Sequence, residues 1–136
     1  MTVPVSQRGE NKMEVFVKAE RLVQHTLHIT SNTNVFDVRY GYLTALVCDH
    51  AVSAYRHMWM ANNIVVKTKS DLERRREYQD IAADELNGMM AEIELCRGVF
   101  NLKPRKGAHW VRITSVVRGL LRKWQESDHK RYKDVQ

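Results

Sequence analysis

From Gln79 to Phe100 the residues Gln79, Ala82, Leu86, Met89, Ile93, Cys96 and Phe100 recur at steps of three and four. At about 3.6 residues per turn an α-helix keeps such a set on one side, whereas a strand needs alternation with a period of two. No proline interrupts the run. A helix from Ser70 to Phe100 would be roughly 45 Å long at about 1.5 Å per residue, and its apolar stripe needs partners of similar length.

Three other segments supply them. In Lys12 to Thr30, Val15, Ala19, Leu22, Thr26 and Ile29 mark one helical face, flanked by Phe16, Val23 and Leu27. Between Val38 and Asn62 the expected seam is Ala45, Cys48, Val52, Tyr55 and Trp59, widened by Leu46, Ala51, Ala54 and Met58. From Ala108 to Arg131 it is Trp110, Ile113, Val117, Leu120 and Trp124. The links fit this division. Asp37 ends the polar run from Ser31 and is placed to cap the second helix, while Ser70 and Glu73 form an S-x-x-E capping box for the third. Pro104 and Gly107 mark the last turn. Four amphipathic helices with short links predict an all-α, antiparallel up-down four-helix bundle over residues 12–131. Residues 1–11 are expected to be a disordered lead-in and residues 132–136 a C-terminal tail. Trp59, Trp110 and Trp124 should be largely buried, with Thr26 and Gln79 as polar core positions that set register.

A chain of 136 residues builds one domain, and its formal charge of +6 favours acidic partners. No apolar run reaches the roughly 18–20 residues that cross a bilayer, and no signal-peptide pattern opens the chain, so a cytoplasmic protein without membrane contact is expected. Cys48 and Cys96 lack CxxC spacing and fit reduced, buried thiols. The chain has no glycine-rich phosphate loop, no G-x-S-x-G and no HExxH, which argues against an enzyme and leaves no cofactor to expect. His25 and His28, and more loosely His50 and His57, share helix faces, but no nearby Asp, Glu or Cys completes a metal set. Asp80, Asp84, Glu85, Glu92 and Glu94 are spread around helix three, as suits solubility and salt bridges to basic neighbours.

Charge is concentrated at one end. Lys103 to Lys133 holds ten Lys or Arg against two acids, Glu126 and Asp128. On the last helix Arg112, Arg118, Arg122, Lys123 and Lys130 lie opposite the apolar seam, with Ser115 and Gly119 between them. Together with Lys103, Arg105, Lys106 and Arg131 they form the expected nucleic-acid-binding set, with a plain solvated face as the alternative. No aromatic residue of that helix interleaves with them, so phosphates should be contacted rather than bases read. A second stripe on helix three, Ile81, Gly88, Leu95 and Val99, lies nearly opposite the inward face and is the expected oligomer interface. Gly88 there suggests close approach of two backbones.

Several residues together carry a resemblance over about Met13 to Arg131. They are Lys18, Ala19 and Leu22, the segment HTLHIT from His25 to Thr30 with Asn32, Phe36 with Tyr40, and Tyr55 with Ala61 and Asn62. To these add Arg74 to Arg76 with Gln79, and Trp110 with Trp124, Ser127, Asp128 and Arg131. In these the chain resembles the bacterial four-helix-bundle family that includes the accessory variability proteins of diversity-generating retroelements and the proteins encoded in ribosomal RNA intervening sequences. It departs from the family in having Phe36 and Asp37 where Phe-Pro is expected before Tyr40. The resemblance implies a non-enzymatic accessory protein, assembled as a homo-oligomer, typically a pentamer, that engages a reverse transcriptase and RNA or complementary DNA through a basic surface. A helical protein-binding adaptor with no nucleic-acid role is the other expectation.

Overall fold

The computed structural model describes the chain from residue 5, with side chains from residue 12. It holds α1 (Val5–Thr30), α2 (Gly41–Asn62), α3 (Lys69–Val99) and α4 (Pro104–Arg131), with short 3-10 turns at Val38–Tyr40 and Lys133–Val135. No strand occurs among the described residues. The expected lead-in falls partly outside them: of residues 1–4 nothing is described, whereas the backbone is helical from Val5, not from Lys12.

Each helix packs against two neighbours, α1 against α2 and α4, and α3 against α2 and α4. The cross-links fix the directions. Thr30 meets Cys48 while Phe16 meets Trp59, so α1 and α2 run antiparallel. His50 pairs with Glu92 and His57 with Glu85, which sets α2 against α3 in the same sense. Arg118 reaches Asn87 and Gln125 reaches Asp80, and Trp110 meets Thr26 while Trp124 meets Phe16. The molecule is the expected up-down bundle.

Every residue of the helix-three repeat is buried, from Gln79 to Phe100. On α1, Val15, Ala19, Leu22 and Thr26 are buried as expected, and Thr30 joins them while Ile29 is only half-buried. Trp110 and Trp124 are enclosed at 0% and 5% exposure, but on α4 it is Thr114 and Leu121 that complete the seam, with Ile113 and Leu120 at its margins. The second helix departs most. Its buried face is Val47, Ala51, Ala54, Met58 and Ala61, so Val52 and Trp59 lie partly in solvent, Trp59 at 43%. Small residues on that face let α2 lie close to α3, and Trp59 instead covers Phe16 from the rim, with ring centres 5.0 Å apart.

The helix ends also differ. The capping box of α3 is Thr68 with Asp71 rather than Ser70 with Glu73: the Asp71 N–H donates to Thr68 Oγ1, and the Asp71 carboxylate accepts from the Lys67 and Thr68 N–H groups. Helix α3 ends at Val99; beyond its cap Phe100, Asn101 takes a left-handed φ of 49°, and the Leu102 N–H returns to the Arg97 carbonyl. Pro104 opens α4 at its first turn, where a missing N–H costs nothing. Gly107 is therefore a helix residue and not a turn. A Cβ there would come within 2.6–2.8 Å of the Arg97 side chain, so glycine lets that side chain cross.

Two buried polar clusters pin the register. The Trp110 Nε1–H donates to Thr26 Oγ1 at 3.0 Å. At the other end the Asp128 carboxylate accepts from Arg75 Nε at 2.6 Å, Arg75 Nη2 at 3.0 Å and Gln79 Nε2 at 2.9 Å. Thr26 and Gln79 are the polar core positions expected. Asp128, which the sequence places among the acids of the basic tail, is instead a core residue.

Candidate anion-binding surface

The outer arc of α4 carries Arg112, Arg122, Lys123 and Lys130 exposed, with Arg118 half-buried, as its opposition to the seam requires. Lys103, Arg105 and Lys106 are exposed around the start of the helix, and Arg131 at its end lies over the Tyr132 ring at 5.2 Å. The set divides between two sides of α4. Arg118 Nη1 donates to Asn87 Oδ1 at 2.7 Å, and Arg122 Nη1 to Gln125 Oε1 at 2.7 Å and to Asp80 at 3.4 Å, so these two lean toward α3. The Arg122–Asp80 pair is about half exposed and holds its partner weakly, about 0–1 kcal/mol. Below it Arg76, Asp80, Gln125, Glu126, His129 and Lys130 line a hollow of mixed charge. Gly119 has open space around the position of a Cβ.

On the other side α4 and α1 enclose a groove. Lys18, Arg21, Leu22, Gln24, His25 and His28 of α1 face His109, Arg112, Ile113 and Val116 of α4 around a cavity of about 500 Å³. A second hollow of about 370 Å³ shares His25, His28 and His109 and adds Ile29, Arg105 and Lys106. None of these lining side chains is a carboxylate. Arg112 Nη2 donates to His109 Nδ1 at 3.0 Å, and the His25 and His109 rings meet edge to face at 5.2 Å. Burial, together with the neighbouring His109 and His28, holds the His25 imidazole below its ordinary value of 6.5. Its Nε2 is enclosed and has no hydrogen-bond partner. An anion entering this groove meets cations on both walls and no competing acid.

Sequence reasoning names the α4 half of the groove through Arg105, Lys106 and Arg112 and misses the α1 half. A signal is present. Lys18, Arg21, His25 and His28 follow steps of three, four and three, which places them on one helical face.

The expected interface residues of α3 separate. Leu95 and Val99 stand in solvent at 59% and 43%, and Ile81 is half-buried. Gly88 is turned toward α2, where a Cβ would lie 3.6 Å from Glu92 Oε1 and 3.7 Å from the His50 ring, so its near neighbour belongs to the same chain.

The α2/α3 seam carries two His–carboxylate rungs: salt bridges from the α3 acids to basic neighbours are expected, but not that histidines of α2 supply the partners. His57 Nδ1 lies 2.6 Å from Glu85 Oε1, and His50 Nδ1 is bonded to Glu92 Oε1. The spacing of seven in both pairs, His50 with His57 and Glu85 with Glu92, is the sequence trace of this ladder. Burial raises the Glu92 carboxyl above the usual range, partly offset by His50, and leaves its Oε2 without a partner. Among the described residues no three His, Cys, Asp or Glu side chains converge as a metal site. Cys48 and Cys96 are free, and burial, followed by the neighbouring Glu92 and Cys48, pushes the Cys96 thiol up to about 12. No described helix is long and apolar enough to cross a membrane.

Comparison with known proteins finds no matching family model, no matching curated protein and no matching solved structure.

Proposed function

We propose that this chain is a non-enzymatic accessory protein that binds nucleic acid through the α1/α4 groove and the adjoining arc of α4. The observation that carries the reading is the acid-free groove, in which Lys18, Arg21, Arg105, Lys106 and Arg112 converge from two helices with three imidazoles. Cations gathered on one surface neutralise phosphates and release condensed counterions, a drive that needs no catalytic group. The resemblance supplies the finer role: a diversity-generating retroelement accessory protein whose partners are a reverse transcriptase and its template RNA or complementary DNA, acting in the cytoplasm. A reverse transcriptase gene and a template repeat beside the coding sequence would support that role, and their absence would remove it.

The binding test compares a structured RNA with wild type and an Arg112→Glu, Lys123→Glu variant at two salt concentrations. The variant should bind at least about tenfold more weakly, with a log–log salt slope smaller by roughly 0.7–0.9 for every phosphate it no longer neutralises. Equal affinity and equal slope in a folded variant would leave α4 as a solvated face.

Homo-oligomer formation, a pentamer by the resemblance, belongs to the same proposal. Leu95 and Val99 expose apolar area worth about 25 cal/mol per Å² when covered. Light scattering should give a multiple of the 15.9 kDa chain mass and a smaller value for Leu95→Glu. A monomer at micromolar concentration, or an unchanged mass in the variant, would contradict it.

A further inference from the structure

The groove between α1 and α4 holds more than a phosphate backbone requires. Leu22, Ile113 and Val116 give it an aliphatic floor, and imidazoles stand beside guanidinium groups on its walls. A surface that only positions phosphates has no use for an aliphatic lining. Imidazole rings and guanidinium planes over aliphatic carbon suit the flat faces of unpaired bases, which is how single strands are held. The bases of a duplex are stacked inside it and do not reach such a floor.

The dimensions agree. The larger hollow, about 500 Å³, falls within the range of about 300–1,000 Å³ typical of sites for small organic groups. The smaller one continues it through the shared histidines, so the groove offers consecutive places along one strand.

We propose that the α1/α4 groove takes unpaired bases of a single-stranded nucleic acid, with the phosphates along the Arg21 and Arg112 walls. This deepens the nucleic-acid reading above and rests on it. His25 and His28 of α1 and His109 of α4 add imidazoles to the Lys/Arg set, and they give the basic surface a preference for strands over duplexes.

The test uses the His28→Ala, His109→Ala variant, which leaves every lysine and arginine of the groove in place. Both residues are exposed, which makes the substitutions compatible with the fold. Three ligands of equal length are compared: a base-bearing single strand, an abasic single strand and a duplex, with a free mononucleotide as a fourth. Wild type should bind the base-bearing strand about tenfold more tightly than the abasic one for each base engaged. The variant should lose that discrimination, read as the ratio of base-bearing to abasic affinity measured within the same variant. Wild type without discrimination, or a variant that discriminates equally, would overturn the proposal while leaving the phosphate-binding reading intact. A mononucleotide that binds as tightly as the strand would overturn the strand assignment. Failure of wild type to bind any of the polymers would sink the underlying reading, and this one with it.

Discussion

Replacement of Asp128 by alanine should destabilise the protein more than any other change to a charged residue of α4. The carboxylate accepts three hydrogen bonds, two from Arg75 and one from Gln79, and the Arg75 and Asp128 side chains are each only 5% exposed. Alanine would leave the guanidinium buried with one long bond, from Nη1 to the Ile64 carbonyl at 3.4 Å. Removal of one partner from a buried ion pair costs about 3–5 kcal/mol, and an orphaned Gln79 amide adds about 1 kcal/mol. Part of this returns through the faces of Trp124 and Tyr132, which lie 5.2 and 5.7 Å from the Arg75 guanidinium carbon. Allowing about 1–2 kcal/mol for those cation–π interactions leaves a net loss of about 2–5 kcal/mol. Unfolding entropy of about 2.1 cal/mol/K per residue amounts to roughly 0.3 kcal/mol/K over 136 residues, so Tm should fall by about 7–17 °C. Urea melts read the free energy directly, with Glu126→Ala, a more accessible acid two residues away, expected within about 0.5 kcal/mol of wild type. A loss below about 1 kcal/mol for Asp128→Ala at unchanged m would refute the reasoning, because the pair would then behave as a surface one.

Two further outcomes follow from the buried titratable groups. His25 is held below its ordinary value of 6.5, so near pH 6 the folded state binds fewer protons than the unfolded chain, and its contribution to stability is present above about 6.5 and lost as pH falls through the folded value. The urea midpoint of wild type should therefore drop more steeply from pH 7 to pH 5 than that of His25→Gln, and parallel curves would contradict the assignment. The Cys96 thiol, pushed up to about 12 and fully buried, should stay unmodified by a thiol reagent at pH 8 until the protein is unfolded, as mass spectrometry of digested protein would show; rapid native labelling would count against the buried site.

Helix α3 is legible because its inward face is one unbroken repeat whose every member is buried. The helix α2 itself and its buried Ala51, Ala54 and Met58 are legible too, but the centre of its inward face is not, since Leu46, Val47, Val52, Tyr55, Met58 and Trp59 put apolar side chains around much of its circumference. Reading by size favours Tyr55 and Trp59, whereas packing selects the alanines that allow close approach to α3. The start of α3 offers two capping pairs two residues apart, and the choice rests on amide geometry that spacing does not reveal. A charged side chain reads as solvated by default, which hides Arg75 and Asp128 in the core; salt bridges from the α3 acids are expected, but His50 and His57 of α2 are not expected as the partners of Glu92 and Glu85. Half of the candidate groove escapes for a different reason. The α1 cations acquire meaning only when α1 is laid beside α4, and a pattern within one helix does not say which neighbour will share its face.

Where nucleic acid touches the surface is the most direct question, and photo-crosslinking to a structured RNA with unpaired loops, followed by peptide mapping, answers it. The account predicts crosslinked residues in two stretches, Lys18 to His28 of α1 and Lys103 to Lys123 around α4, and few on the outer faces of α2 and α3. Crosslinks confined to α2 and α3, or none under conditions in which the RNA is bound, would contradict it.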